Sequence, residues 1–226
     1  MDRRQFLFIS SGAALGTFWV SGLAEAAHQS PLADSALVTG IMKPLRHKVI
    51  PGFLSEQQLA VHHDAHYGGA LKKYLQTDKQ LHAGGDISPD TRAKLRSIRT
   101  SRANSVLLHE IYFDGMTTMS GGKPTAKLAA AIKQRFGSYD KWLADFIATG
   151  TSSAGWALLV RHPVNGRLYN VGSEEHAIGV LWMAAPLVAL DVYEHAFYID
   201  YQNRKGAYVE KFMDYIDWGA AERLEG

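Results

Sequence analysis

His62 and His66 stand four apart in "AVHHDAHYGG". On a helix that spacing puts both imidazoles on one face, with Cβ atoms roughly 5–6 Å apart. Asp191 and His195 repeat the spacing in "ALDVYEHAF", and His109 lies inside the apolar run "VLLHEIYF". A carboxylate closing the apolar run "PLVAL" is costly to bury unless it is paired or bound to a metal. The chain has no cysteine, so a metal here must be held by nitrogen and oxygen donors. Three imidazoles and a carboxylate suit iron or manganese and leave no role for copper(I). Spacing alone leaves two readings standing: a buried Asp–His ion pair among unrelated core histidines, or one metal site drawn from three segments. His63 points off the shared face. His28, His47, His82 and His162 lie in loops or polar surroundings and read as surface residues.

The elements that must carry these groups are readable from caps and periods. "SEQQLAVHHDAHYGGALKKYLQ" opens with a capping box, Ser55 with Gln58, and continues as a helix. A second helix starts at Ser88 with Pro89 in its first turn, and the polar stretch Thr100–Asn104 predicts a break before "SVLLHEIYFDGM". "SGGKPT" marks a domain boundary. Beyond it, one helix runs to Gly137 and another, capped by Ser138, runs to Gly150. "GWALLVR" and "RLYNVG" around "HPVNG" predict a β-hairpin, and "PLVALDV" a third, buried strand. "YEHAFYIDYQN" has helical spacing, and "AYVEKFMDYIDW" predicts a closing helix. The expected architecture is an α-helical N-terminal hairpin domain (49–120) followed by an α+β C-terminal domain (121–226) with a three-stranded antiparallel sheet.

Composition bounds the function. The 226 residues are 46% hydrophobic and 11% aromatic, enough for a sizeable core. A net charge of +2 is too small to point to nucleic acid. The first 26 residues read as a leader: Arg3-Arg4, then Phe6-Leu7, a moderately apolar run to about Leu23, and "AEA" at Ala24–Ala26. Ser and Gly interrupt that run, which is short for a membrane span. The twin arginine resembles a Tat signal, read by the machinery that exports folded proteins, so a periplasmic or secreted protein with no span after cleavage is expected. Residues 27–48 read as a linker or extended lead-in.

"DVYEHAFYIDYQN" closely resembles the D-V-W-E-H-A-Y-Y-x-D-Y-x-N signature of iron/manganese superoxide dismutases. "SEQQLAVH", "GGKPTAKLAAAI", "SSAGWALLV" and "YVEKFMDYIDW" resemble further segments of that family in the same order, from about Pro44 to Arg223. The resemblance implies His62, His109, Asp191 and His195 as ligands of one Fe or Mn ion per subunit, with superoxide converted to O₂ and H₂O₂. It implies a homodimer in which Glu194 meets the partner's His195 and His66 meets the partner's Tyr198. Trp156 is retained as a wall of the pocket.

Two positions depart from the family pattern. Where the family hydrogen-bonds a metal-coordinated solvent with Gln, the helix offers Ser105, too short to reach, and the hairpin side offers His176. His176 is expected to fill that role, the alternative being a loop histidine facing water. The Tyr normally eight residues after the first ligand is Ala70, so a hydroxyl is missing from the proton path unless Tyr67 or Tyr74 supplies it. Two other readings therefore stand beside a dismutase: a metal-binding relative with weak turnover, and a non-catalytic structural relative.

Overall fold

The helix that begins at Ser55 carries the first ligand, and its start is fixed locally. Ser55 Oγ accepts the Gln58 N–H at 3.1 Å. In the computed structural model, which describes residues 32–83 and 85–225, helix α2 (Glu56–Val61) passes into a π-helical stretch His62–Tyr67 and then α3 (Gly68–His82). The wider register shows in the Gly68 N–H, which reaches back to the carbonyl of His63. A π turn holds about one more residue than an α turn and often marks a functional site. Here it buries the adjacent His62 and His63 together. The other half of the expected capping box is absent: Ser55 N–H donates instead to Asp200 at 2.7 Å, and Gln58 is used elsewhere.

Helix α4 (Pro89–Asp114) is continuous for 26 residues, so the predicted break at Thr100–Asn104 does not occur. That stretch contains neither Gly nor Pro, and α4 packs along α3, where Arg99 pairs with Asp78 at 3.3 Å. Packing overrides weak local propensity. The leader (1–26) lies outside the described residues. Of the lead-in at 27–48, the described part forms a short helix α1 (Ala36–Thr39) with Ala36 fully buried.

After the Gly/Pro segment come α5 (Ala126–Phe136) and α6 (Tyr139–Ser152), capped by Thr125 and Ser138. Gly150 does not end α6. It lets α8 (Lys205–Phe212) approach, since a Cβ there would meet Val209 at 2.9 Å. Strands β1 (Trp156–Arg161), β2 (Leu168–Ser173) and β3 (Ala185–Asp191) form an antiparallel sheet in the order β2-β1-β3. The register sets Trp156 opposite Asp191. "YEHAFYIDYQN" divides into a 3-10 turn Glu194–Ala196 and α7 (Tyr198–Tyr201). The expected last helix breaks after Phe212 and resumes as α9 (Trp218–Arg223), capped by Asp217. One buried apolar cluster runs through both halves, and α4 packs on β3, bringing His109 to the strand that ends in Asp191. Among the described residues, no helix is long and apolar enough to cross a membrane.

Candidate metal centre

Four side chains from the π stretch, α4, the end of β3 and the following 3-10 turn meet at one point. One ligating atom from each of His62, His109, Asp191 and His195 lies within 4.8 Å of all the others. The Nε2 atoms of His62, His195 and His109 stand 3.2, 3.3 and 3.6 Å from the same Asp191 oxygen, Oδ2. Metal bonds of about 2.1 Å at angles between about 95° and 120° give separations of roughly 3.1–3.6 Å between neighbouring donors. The donor set has the span of a coordination sphere.

The protonation pattern points the same way. His109 Nδ1–H donates to the Ser105 carbonyl at 2.7 Å, so the neutral ring presents its Nε2 lone pair to Asp191. That Nε2 is buried and has no hydrogen-bond partner. A lone pair facing a carboxylate oxygen inside the protein calls for a cation between them. Burial, with repulsion from His62, lowers the His109 pKa to about 3. Burial lowers that of His62 as well. Both rings are therefore neutral at ordinary pH, as ligands must be. Burial alone would raise the Asp191 carboxyl, but hydrogen bonds with His195 and His62 outweigh it and hold the group well below the usual carboxylate range. The nitrogen and oxygen donors fit iron or manganese.

The supports of these ligands come from far along the chain. Gln58, fully buried, donates to the His195 carbonyl at 2.6 Å and accepts the Ile199 N–H at 3.0 Å, fixing the turn that carries His195. Tyr208 Oη–H donates to the Asp191 carbonyl at 2.8 Å and in turn accepts from Tyr112 at 3.0 Å. Asp191 Oδ1 accepts the Tyr193 N–H. Local pattern marked none of these partners for this role, and Gln58 only as half of a capping box. Only the burial of a polar Gln on an apolar helical face could have singled out Gln58.

His66 stacks on His195, with ring centroids 3.8 Å apart, at the partly open side of the site. Trp156 is buried and meets His109 edge-on at 5.2 Å. Its indole N–H donates to His176 Nδ1 at 3.0 Å, and the His176 ring lies 6.2 Å from that of His109. His176 thus stands beside the ligands rather than in solvent. Glu194 and Tyr198 are exposed and share a surface hollow with His195. Ala70 is buried and offers no hydroxyl. Tyr67 cannot stand in for one: its hydroxyl donates to Glu110 at 2.8 Å and accepts the Lys43 N–H at 3.1 Å. His63, off the ligand face as expected, is buried too, and its Nε2 bonds the Lys43 carbonyl at 2.8 Å.

Residues 124–224 match the family described as iron/manganese superoxide dismutases, C-terminal domain. The manganese superoxide dismutase of Haloarcula marismortui is 34% identical over 186 residues, which covers 80% of this chain and 91% of that protein. The iron superoxide dismutase of Cupriavidus metallidurans is 36% identical over 174 residues, covering 74% and 86%. That of Pyrobaculum aerophilum is 32% identical over 191 residues, covering 80% and 88%. With the fold, the four-ligand cluster and this extent of likeness together, the chain belongs to the iron/manganese superoxide dismutase family.

Proposed function

We propose that the protein is an exported, homodimeric superoxide dismutase that uses one iron or manganese ion per subunit. The observation that carries the reading is the convergence of three imidazole Nε2 atoms, one of them partnerless, on a single buried carboxylate oxygen. A bound iron or manganese ion supplies the one-electron chemistry by which two superoxide ions become O₂ and H₂O₂. His62, His109, Asp191 and His195 would hold it, while Ser105, Gln58 and Tyr208 fix the orientation of three of them. Loading the purified chain separately with each metal, then measuring metal content and superoxide decay, tests the reading. A chain that takes up neither metal stoichiometrically overturns it.

The product needs two protons, and the chain's own groups deliver or direct them. Because Trp156 donates to His176 Nδ1, neutral His176 carries its proton on Nε2. That N–H is the donor that takes the place of the amide used by relatives with Gln. Burial lowers the His176 pKa, which favours this neutral form near pH 7. His66, whose pKa is lowered to about 4 by burial and then by His195 and His62, is likewise uncharged there. Superoxide is therefore met by neutral imidazoles at the mouth, and a bound ion would supply the positive charge within.

A second reading rests on Ala70 and the commitment of Tyr67 to Glu110. With no tyrosyl hydroxyl at that place, the protein would bind its metal fully and turn over slowly. Full metal occupancy with slow superoxide decay selects this reading.

Export is inferred from Arg3-Arg4, Phe6-Leu7 and the Ala24–Ala26 cleavage pattern. A folded metalloprotein suits the Tat route, since its ion can be loaded before transport. Cell fractionation of the wild type and of an Arg3→Lys/Arg4→Lys form tests it: retention of wild type in the cytoplasm sinks the inference. The dimer is inferred from Glu194, His195, His66 and Tyr198, which the family resemblance pairs across subunits.

A further inference from the structure

The loop between β2 and β3 is unusual for a surface segment. Ile178, Val180, Leu181, Trp182 and Met183 are 52, 50, 37, 84 and 72% exposed, interrupted only by Gly179. Contiguous apolar exposure of this kind marks an interaction site more often than a scattered residue does. The loop is built to hold these side chains out. The Ser173 hydroxyl lies within hydrogen-bond reach of the Glu175 and Ile178 carbonyls at the base of the loop. Gly179 has φ +86°, and a Cβ there would meet the Gly172 carbonyl at 2.6 Å. Beneath the loop, a cavity of about 130 Å³ lies between Val180 and Leu181 on one side and Asn104 and Leu107 of α4 on the other.

The neighbour of this loop is strongly basic. Residues 68–104, the arm formed by α3 and the first part of α4, carry eight Lys or Arg against three Asp, although the whole chain is only +2. Lys94, Arg96 and Arg102 on this arm are exposed. Asn104, at its base, donates to the His176 carbonyl at 2.8 Å, joining arm and loop. An apolar prominence beside a basic arm is complementary to a surface that is anionic outside and apolar beneath. A second copy is the poorer occupant, because a two-fold contact through the loop sets the same patch against itself and brings the two basic arms together.

We propose that the 177–184 loop and the basic arm beside it form a docking face for an anionic phospholipid bilayer, with Trp182 seated at the membrane interface. Trp and other amphipathic rings favour that depth, and the basic side chains are attracted by the headgroup charge. The docking face contains none of the four metal ligands, although its loop follows on His176, and the inference does not depend on turnover.

Trp182 reports on its own position, since Trp142, Trp156 and Trp218, the other tryptophans of the described residues, are buried. The metal-loaded chain is mixed with vesicles of phosphatidylcholine alone or of phosphatidylcholine with phosphatidylglycerol. It is used both whole and without residues 1–26, so that binding through the apolar leader is seen separately; residues 32–225 share one core. The leaderless protein is expected to sediment with the anionic vesicles, to lose that binding as salt rises, and to show a blue-shifted emission. Trp182→Ser should weaken binding roughly tenfold or more and abolish the shift, and Lys94→Gln/Arg96→Gln should weaken binding to anionic vesicles only. Metal content and superoxide decay of both variants should match the parent, which separates a failed docking face from a misfolded or inactive enzyme. Absence of binding to either vesicle, or equal binding to both, overturns the proposal. So does shielding of Trp182 from a soluble quencher without vesicles, in an assembly that Trp182→Ser dissolves, since the loop then meets a second copy.

Discussion

At the residue scale, the proton donor proposed above is His176, and Trp156 sets its tautomer. An indole N–H can only donate, so His176 Nδ1 must accept, and the ring's proton sits on Nε2. Trp156→Phe removes that constraint while keeping an aromatic wall. Metal content should stay whole, and superoxide decay should slow about tenfold or more, as for other groups that orient a site from behind its ligands. A second substitution, His176→Gln, should recover part of the loss because an amide needs no tautomer; unchanged activity in Trp156→Phe alone rules out the role. Tyr208 makes a different kind of contribution. Tyr208→Phe leaves the Asp191 carbonyl and the Tyr112 hydroxyl buried without their partner. The expected loss is about 1–3 kcal/mol in denaturant unfolding, with the metal more easily chelated. Residue types and spacing in a cysteine-free chain left a buried Asp–His ion pair standing beside the metal site, and the four ligands were legible through the resemblance to the family signature. Gln58 and Tyr208 were not, because each supports a ligand that lies in another segment.

At the element scale, the misjudged features share a physical cause. The polar stretch Thr100–Asn104 read as a break because local propensity is weak there, yet α3 supplies packing along the whole of α4. Gly150 read as a helix stop, yet its missing side chain serves a helix crossing with α8. The strands and the caps at Ser55, Ser88 and Ser138 were legible because they depend on near neighbours alone. The π stretch had no sequence signature, and along it His62 and His63 are buried in succession while His66 is half-buried. Burial of histidines around the site, on the π stretch and on α4, has a measurable consequence in the metal-free protein. His66 and His109 are lowered to about 4 and about 3, chiefly by burial, with neighbouring imidazoles adding to it. In the unfolded chain the same rings take protons near their ordinary value of about 6.5. The folded state then binds fewer protons than the unfolded one, so stability is full above about pH 6.5 and declines as pH falls from there toward 3–4. Urea midpoints of metal-free protein across that range should fall steadily. The metal-loaded protein should hold its midpoint further into acid and then drop abruptly as the ion leaves.

At the scale of the whole molecule, the metal centre is closed on the side of the core and thinly covered on the side of Glu194 and Tyr198. Glu194 is exposed immediately before a ligand, and Tyr198 and Ile199 are 51 and 42% exposed on the next turn. In the proposed dimer, a carboxylate and two aromatic or apolar side chains beside the mouth of the site meet the same face of a second copy across a two-fold axis. On that arrangement Glu194 of one subunit reaches the partner's His195, and each subunit stiffens the other's ligand. In that proposed dimer, Glu194→Ala would remove the charged half of a desolvated pair. The expected cost is about 2–5 kcal/mol of association, or roughly thirty- to several-thousand-fold in Kd. Light scattering against concentration should show a dimer for the parent and a monomer for the variant at micromolar protein. Since His195 then loses its outer support, the variant should also release its metal faster to a chelator, and this should hold even at concentrations that restore the dimer. A parent protein that is monomeric at every concentration, or a variant that stays dimeric with unaltered metal release, would place Glu194 on a solvated face and leave the site complete within one chain.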